Sequence, residues 1–122
     1  MNKALLIVAH GSRKEESNSE IFELAKNIAS KNNSFDMVEA CFLEIAEPSI
    51  PEGIKACVSN EASEILIMPY FLAAGRHVLE DIPSIVDEEK TKYSNISIKS
   101  LPYFGSNPVI VDILNTLAEN DA

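Results

Sequence analysis

Four short apolar runs, Ala4 to Ala9, Met37 to Leu43, Ile65 to Tyr70 and Ile96 to Leu101, alternate along the chain with stretches in which apolar residues recur at helical spacing. Runs of that apolar content are too long for exposed loops and read as strands, and strands alternating with helical stretches occur where helices cover both sides of a parallel sheet. Each parallel strand also needs a crossover to carry the chain back, which the helical stretches supply. The class expected is therefore α/β, a four-stranded parallel sheet flanked by helices. With 122 residues there is no room for a second core, so one domain over residues 1–122 is expected.

The crossovers can be placed from caps and stripes. Ile21, Phe22, Leu24, Ala25, Ile28 and Ala29 form one apolar stripe and predict a helix over about Glu15 to Lys31. Ser49 followed by Glu52 is a capping-box signature, Pro51 falls in the first turn, where its missing N–H is harmless, and Ile54, Cys57 and Val58 then face inward. Pro83 argues that the third helix starts near Asp81, which would cap it, because a proline further inside would forfeit a hydrogen bond. Asn107 before Pro108 caps the last helix, whose stripe of Ile110, Val111, Ile113, Leu114 and Leu117 is expected to close the domain.

Hydrophobic residues at 46% and charged residues at 24% match a chain that packs a core. No apolar run approaches the roughly 20 residues that span a bilayer, and Met1-Asn2-Lys3 leads straight into a strand-sized run, so a cytoplasmic location is expected. Cys41 and Cys57 sit in apolar patterns without C-x-x-C spacing and read as reduced core thiols. Nineteen acidic against ten basic residues give a charge of −9, which disfavours nucleic acid and anionic membrane as partners. A polyanionic small ligand would have to be met by local cations or backbone donors.

In open parallel sheets, ligands bind beyond the carboxyl ends of the strands. The first three runs lead there into Ala9-His10-Gly11-Ser12-Arg13, Leu43-Glu44-Ile45-Ala46-Glu47-Pro48 and Phe71-Leu72-Ala73-Ala74-Gly75-Arg76-His77. The only two histidines of the chain, His10 and His77, fall on two of these loops. A single histidine after a strand is commonly structural, but two on the same edge point to ligands for a borderline divalent ion, or to proton carriers near neutral pH. Glu44 and Glu47 are either solvated loop acids or groups that take a proton or complete a metal site. Gly11 and Gly75 permit close approach or positive φ, as a plain turn also would. Arg13 and Arg76 are the local cations able to pair with carboxylates, or else surface residues. Tyr70, Phe71, Tyr103 and Phe104 belong to the core and strand ends, where one could line a flat apolar pocket.

Four stretches, "VAHGSR" (Val8 to Arg13), "FLEIAEPSIP" (Phe42 to Pro51), "PYFLAAGRHVLEDIP" (Pro69 to Pro83) and "LPYFG" (Leu101 to Gly105), resemble the class II chelatases, specifically the short sirohydrochlorin cobaltochelatase group. The resemblance implies a flavodoxin-like domain that works as a homodimer and inserts a divalent metal ion, cobalt with nickel or iron as alternatives, into sirohydrochlorin. The metal is then a substrate, and no organic cofactor is implied. By the same resemblance His10 is metal ligand and proton acceptor, and His77 is the second ligand. Leu72, Ala73, Ala74, Gly75, Arg76 and His77 contact the macrocycle, as does Glu47, and Glu44 matches an acid implicated in some members. Arg13 and Arg76 are placed to meet the ring's carboxylates. Three other classes share features with the chain. A histidine phosphatase would need Arg-His-Gly where Ala9-His10-Gly11 stands, and a receiver module would need an acid cluster where Ile7-Val8-Ala9 stands. A carrier that binds metal or tetrapyrrole without turnover would use the same ligands.

Overall fold

The structure, a computed structural model, describes residues 2–32 and 34–121, apart from the His77 side chain. The elements in chain order are β1 (Lys3–Ala9), α1 (Glu15–Lys31), β2 (Met37–Phe42), α2 (Ile50–Ser59), β3 (Glu64–Pro69), α3 (Arg76–Lys92), β4 (Ser97–Ser100) and α4 (Val109–Asp121), with a short 3-10 turn over Phe104–Ser106. The strands pair in the order β2-β1-β3-β4, all parallel, which is the α/β architecture the alternation predicts.

Alternation along each strand sorts the core into two layers. Ala4, Leu6 and Val8 of β1, Cys41, Ile65, Ile67 and Ile98 face α2 and α3, where Ile54, Cys57, Ile82 and Val86 meet them. Leu5, Ile7 and Ala40 face α1 through Ala25, with Ile21, Leu24 and Ile28 around them. Both cysteines are free and buried, as their apolar patterns predict. Burial pushes the Cys41 thiol up to about 12, with Cys57 beside it adding to the shift, and pushes Cys57 up to about 11, with Glu39 adding.

Helix α1 spans the predicted residues, and the reciprocal capping box of α2 is formed, Glu52 N–H donating to Ser49 Oγ (3.2 Å) and Ser49 N–H to Glu52 Oε1 (2.8 Å). The start of α3 near Asp81 is overturned: the helix begins at Arg76, with Gly75 at its N-cap, so that Asp81 and Pro83 are both interior. An interior proline costs about 3 kcal/mol, and burying an aliphatic side chain gains roughly 1.5 to 3 kcal/mol. Ile82 and Val86, 2% and 1% exposed, therefore offset it, and tertiary packing overrides the proline.

The last helix also departs from expectation. Asn107 caps it, its Oδ1 accepting the Val109 N–H at 2.9 Å, but α4 does not close the domain. It contains no buried residue and makes no substantial contact with any other helix or strand.

Candidate functional site at the carboxyl edge of the sheet

The register of the strands assembles the site. β1 pairs with β2 up to Ala9 opposite Phe42, and the ladder runs on past both strand ends: Leu43 N–H donates to the Ala9 carbonyl (2.8 Å) and Glu44 N–H to the His10 carbonyl (3.0 Å). Glu44 is thereby carried to His10 across 34 positions of sequence, and their side chains meet, Nε2 to Oε2 at 3.2 Å. His10 Nδ1 lies 3.2 Å from the Gly11 carbonyl oxygen. An Nδ1–H donated there fixes the tautomer that leaves the Nε2 lone pair as a ligand, and Nε2 and the carboxylate can then share a proton or a cation. Both side chains are about half exposed, at 51% and 59%, so the pair is open to an incoming substrate.

Two residues with positive φ, one a glycine and one strained, hold this contact. Gly11 has φ +101°, and a Cβ there would lie 1.8 Å from the Glu44 carbonyl oxygen, so only glycine lets the two loops touch. Ile45 has φ +71°, and the Ala46 N–H donates to the Glu44 carbonyl across it at 2.7 Å, which is the rare, strained form of γ-turn. A β-branched residue in that region is an outlier, and this one exposes 57% of its surface at the site. The Glu47-Pro48 peptide that follows is cis. On the other flank, Asn18 anchors the first loop, accepting from Ser12 N–H (2.9 Å) and donating to the Ser12 carbonyl (2.7 Å). Sequence reasoning missed Asn18 and Ile45. A polar residue on the first turn of α1 was the only clue to Asn18, and nothing in the residue type signals positive φ at Ile45.

Arg13 and Glu47 come together with Ser12, Asn18, Phe22 and Ile45 around an open recess of about 640 Å³. The third loop leaves the sheet beside β1, where Tyr70 N–H donates to the Val8 carbonyl at 2.7 Å. Its residues Leu72, Ala73 and Gly75 are exposed and Ala74 is half-buried. Gly75 has an ordinary φ of −70°, and a Cβ there would meet nothing, so its freedom is not used. The loop is locked to the one after β4 instead: Gly105 N–H donates to the Phe71 carbonyl (2.8 Å), a Cβ on Gly105 would collide with the Leu72 carbonyl, and the Tyr70 and Phe104 rings sit 5.7 Å apart. Arg76 is engaged by Glu80, Nε to Oε1 at 3.1 Å, on the exposed surface of α3. A second, largely apolar cleft of about 280 Å³ lies between α3 and the loop after β4, lined by Leu79, Pro83, Leu101 and Tyr103 among others.

His77 is the second residue of α3, and the expectation that its ring joins His10 falls on a side chain outside the described residues. Helix α3 opens without a capping side chain and without an acid in its first turn, so its N-terminal N–H groups favour an anion. Among the described residues, no three or more His, Cys, Asp and Glu side chains gather into a metal cluster. Nor is any helix among them long and apolar enough to cross a membrane.

The CbiX family model matches residues 4–120, nearly the whole chain, with the loops just described inside it. The chain belongs to the CbiX family. It is 35% identical to the chloroplastic sirohydrochlorin ferrochelatase of Arabidopsis thaliana over 91% of this chain and 49% of that one. It is 36% identical to the sirohydrochlorin cobaltochelatase of Sulfolobus acidocaldarius over 94% and 89%. Among solved structures, the sirohydrochlorin chelatase SirB from Bacillus subtilis subspecies spizizenii in complex with cobalt superposes with a TM-score of 0.83 at 28% identity, over 98% of this chain and 51% of that one. The chain thus spans half or less of the length of several curated relatives, 49%, 41% and 37% of three of them, and most of the Sulfolobus enzyme.

Proposed function

We propose that this CbiX-family chain inserts a divalent metal ion into sirohydrochlorin, with cobalt as the ion. The observation that carries the reading is the His10–Glu44 pair, held at 3.2 Å by a glycine and a strained turn on the ligand-binding edge of the sheet. Insertion requires two pyrrole N–H protons to leave while the ion sheds water and enters the ring. His10 Nε2 binds the ion and then accepts a proton, Glu44 accepts the other, and His77 completes the grip on the ion from the first turn of α3. Two neutral imidazoles and one carboxylate leave positions open, which suits delivery better than storage.

The substrate is a large flat ring edged with carboxylates. Arg13 and Glu47 lie on its recess, Leu72 to Arg76 supply an exposed wall, and Arg13 and the uncapped start of α3 meet the acid groups despite the charge of −9. Arg76 joins them by exchanging Glu80 for a ring carboxylate, a small loss because exposed ion pairs are worth at most about 1 kcal/mol. One copy leaves His10 and Glu44 about half open, so the site is completed by a second copy in a homodimer. No organic cofactor takes part, and the two buried thiols fit a reducing cytoplasm.

The deciding experiment mixes the purified chain, sirohydrochlorin and cobalt and follows the absorbance of the metallated ring. A rate well above the protein-free rate, lost in His10→Ala and cut at least tenfold in Glu44→Gln, supports insertion. Tight binding of ring or metal with no acceleration would make the chain a carrier instead. Competition among cobalt, nickel and iron tests the choice of ion.

A further inference from the structure

Strand β4 leads into Leu101-Pro102-Tyr103-Phe104-Gly105, a stretch with no part in the chemistry above. This fourth loop is held at both ends. Leu101 N–H donates to the Ile67 carbonyl (2.8 Å), carrying the β3–β4 ladder past Ser100, and Asn107 accepts the Val109 N–H at the start of α4 (2.9 Å). Between those points the chain bonds to itself, Ser106 Oγ and N–H donating to the Tyr103 carbonyl (2.6 and 3.0 Å) and Asn107 N–H to that of Phe104 (3.1 Å). The third loop is the opposite case. Tyr70 N–H is its last bond to β1, and among the described residues no backbone hydrogen bond ends on Leu72, Ala73 or Ala74. Its support comes from the fourth loop. Gly105 N–H donates to the Phe71 carbonyl at 2.8 Å, and a Cβ on Gly105 would collide with the Leu72 carbonyl group and come within 2.8 Å of its Cα. Gly105 does not have positive φ, so glycine is needed there for room alone. The Phe104 ring adds its contact with Tyr70 at 5.7 Å.

We infer that Gly105 and Phe104 are positioning residues for the reaction: as a latch they hold the third loop where Leu72 to Arg76 can face the ring and α3 can begin at the site. The inference rests on the insertion reading above and deepens it by giving the fourth loop a task. The direction of the constraint follows from the bonds, since a loop fixed at both ends and bonded to itself sets the place of a neighbour that has no such bonds. Leu72 shows the result. It stands 71% exposed with its peptide against Gly105, an apolar side chain held out where a flat ring can lie on it. The loop then runs directly into the first turn of α3, where no capping side chain fixes the backbone of Arg76 and His77. A functional site tolerates a displacement of about 0.5 Å, whereas room for a Cβ at Gly105 requires the Leu72 peptide to retreat by more than about 1 Å. The His10–Glu44 pair lies on the other two loops, so a broken latch leaves that contact standing and moves the wall opposite it.

Titration of the chain with metal-free sirohydrochlorin, followed by absorbance, and insertion kinetics well below the melting temperature test this. Gly105→Ala is expected to keep its far-UV dichroism and to bind the ring about tenfold more weakly, the loss of one apolar contact the size of Leu72. Its kcat should fall by at least about tenfold, because a misplacement of about 1 Å is costly to a reacting geometry. Phe104→Ala should fall in the same way, and Phe104→Tyr, which keeps an aromatic ring on Tyr70, should return to within about twofold of wild type. Ser49→Ala, which loses stability through the α2 cap, should match wild type in both readouts and so separates positioning from stability. A folded Gly105→Ala chain with wild-type ring affinity and kcat overturns the proposal, as do Phe104→Ala and Phe104→Tyr chains that behave alike. Should Gly105→Ala fail to fold, the two Phe104 variants decide. A wild-type chain that binds the ring without accelerating insertion ends the insertion reading, and the ring affinities still judge the latch. One that does not bind the ring overturns both.

Discussion

Replacing Gly11 by alanine probes the contact on which the site depends. The new Cβ would lie 1.8 Å from the Glu44 carbonyl oxygen and 3.3 Å from the Ala46 nitrogen, at a φ of +101° that alanine resists. Reaching an ordinary contact distance requires the Glu44 peptide to retreat by about 1.5 Å. That peptide cannot move alone, because its N–H donates to His10 (3.0 Å) and its carbonyl accepts from Ala46 (2.7 Å). The conformational penalty of about 1 to 2 kcal/mol, added to two hydrogen bonds worth roughly 0.5 to 1.5 kcal/mol each, gives about 2 to 5 kcal/mol. The loop is half exposed and can rehydrate, so the lower part of that range, about 3 kcal/mol, is expected. In urea this moves the midpoint down by about 2 M for a slope of about 1.5 kcal/mol per molar. A shift of the Glu44 carboxylate by about 1 Å would also cost on the order of a hundredfold in insertion rate. Gly75→Ala is the control, since its Cβ meets nothing within 4 Å at an ordinary φ, and it should lose only the helix-cap preference for glycine over alanine, about 1 kcal/mol or less, well under the loss in Gly11→Ala. Urea titration by circular dichroism and the insertion assay read both effects. A Gly11→Ala chain with unchanged midpoint and rate would refute the claim that this close approach holds the site.

Further outcomes follow from other parts of the structure. Ile45→Gly relieves the positive φ and should raise stability by about 1 kcal/mol in urea titration while removing an exposed apolar side chain from the recess, so KM rises; an unchanged urea transition would contradict the strain. The Cys41 and Cys57 thiols ionise near 9.0 when unfolded but near 12 and 11 when folded, so their contribution is unchanged below pH 9 and is lost as pH climbs through 9 to 12. The alkaline loss by pH 12 should be on the order of 7 kcal/mol, about 4 from Cys41 and about 3 from Cys57, and absent from Cys41→Ala/Cys57→Ala, as pH-stepped denaturation would reveal. Ser49→Ala removes one arm of the α2 capping box and should cost about 1 kcal/mol, measurable as a lower melting temperature, with catalysis at low temperature unaffected.

Much of the architecture was legible because it depends on local chemistry. The apolar runs became the strands to within a residue or so, and α1 and the α2 box formed where stripe and caps put them, since periodicity and capping act over a few neighbouring residues. Where neighbours far along the chain decide, local rules failed. Pro83 reads as a helix boundary until Ile82 and Val86 find the sheet, and the α4 stripe reads as core although the chain's own sheet does not receive it. In the site, residue types and loop positions marked His10, Glu44, Glu47 and Arg13, but not which of them touch.

The sequence by itself determined the alternation of strand and helix and the placing of its reactive residues on the carboxyl edge, because the pattern of apolar side chains fixes which elements can form and the right-handed crossover fixes where their loops emerge. The tertiary structure alone decided that Glu44 meets His10, that Ile45 bends with positive φ to hold it there and that α4 stands uncovered. Those outcomes depend on strand register and on the fit between distant surfaces, quantities that exist only once residues far apart in the chain share the same few ångströms of space.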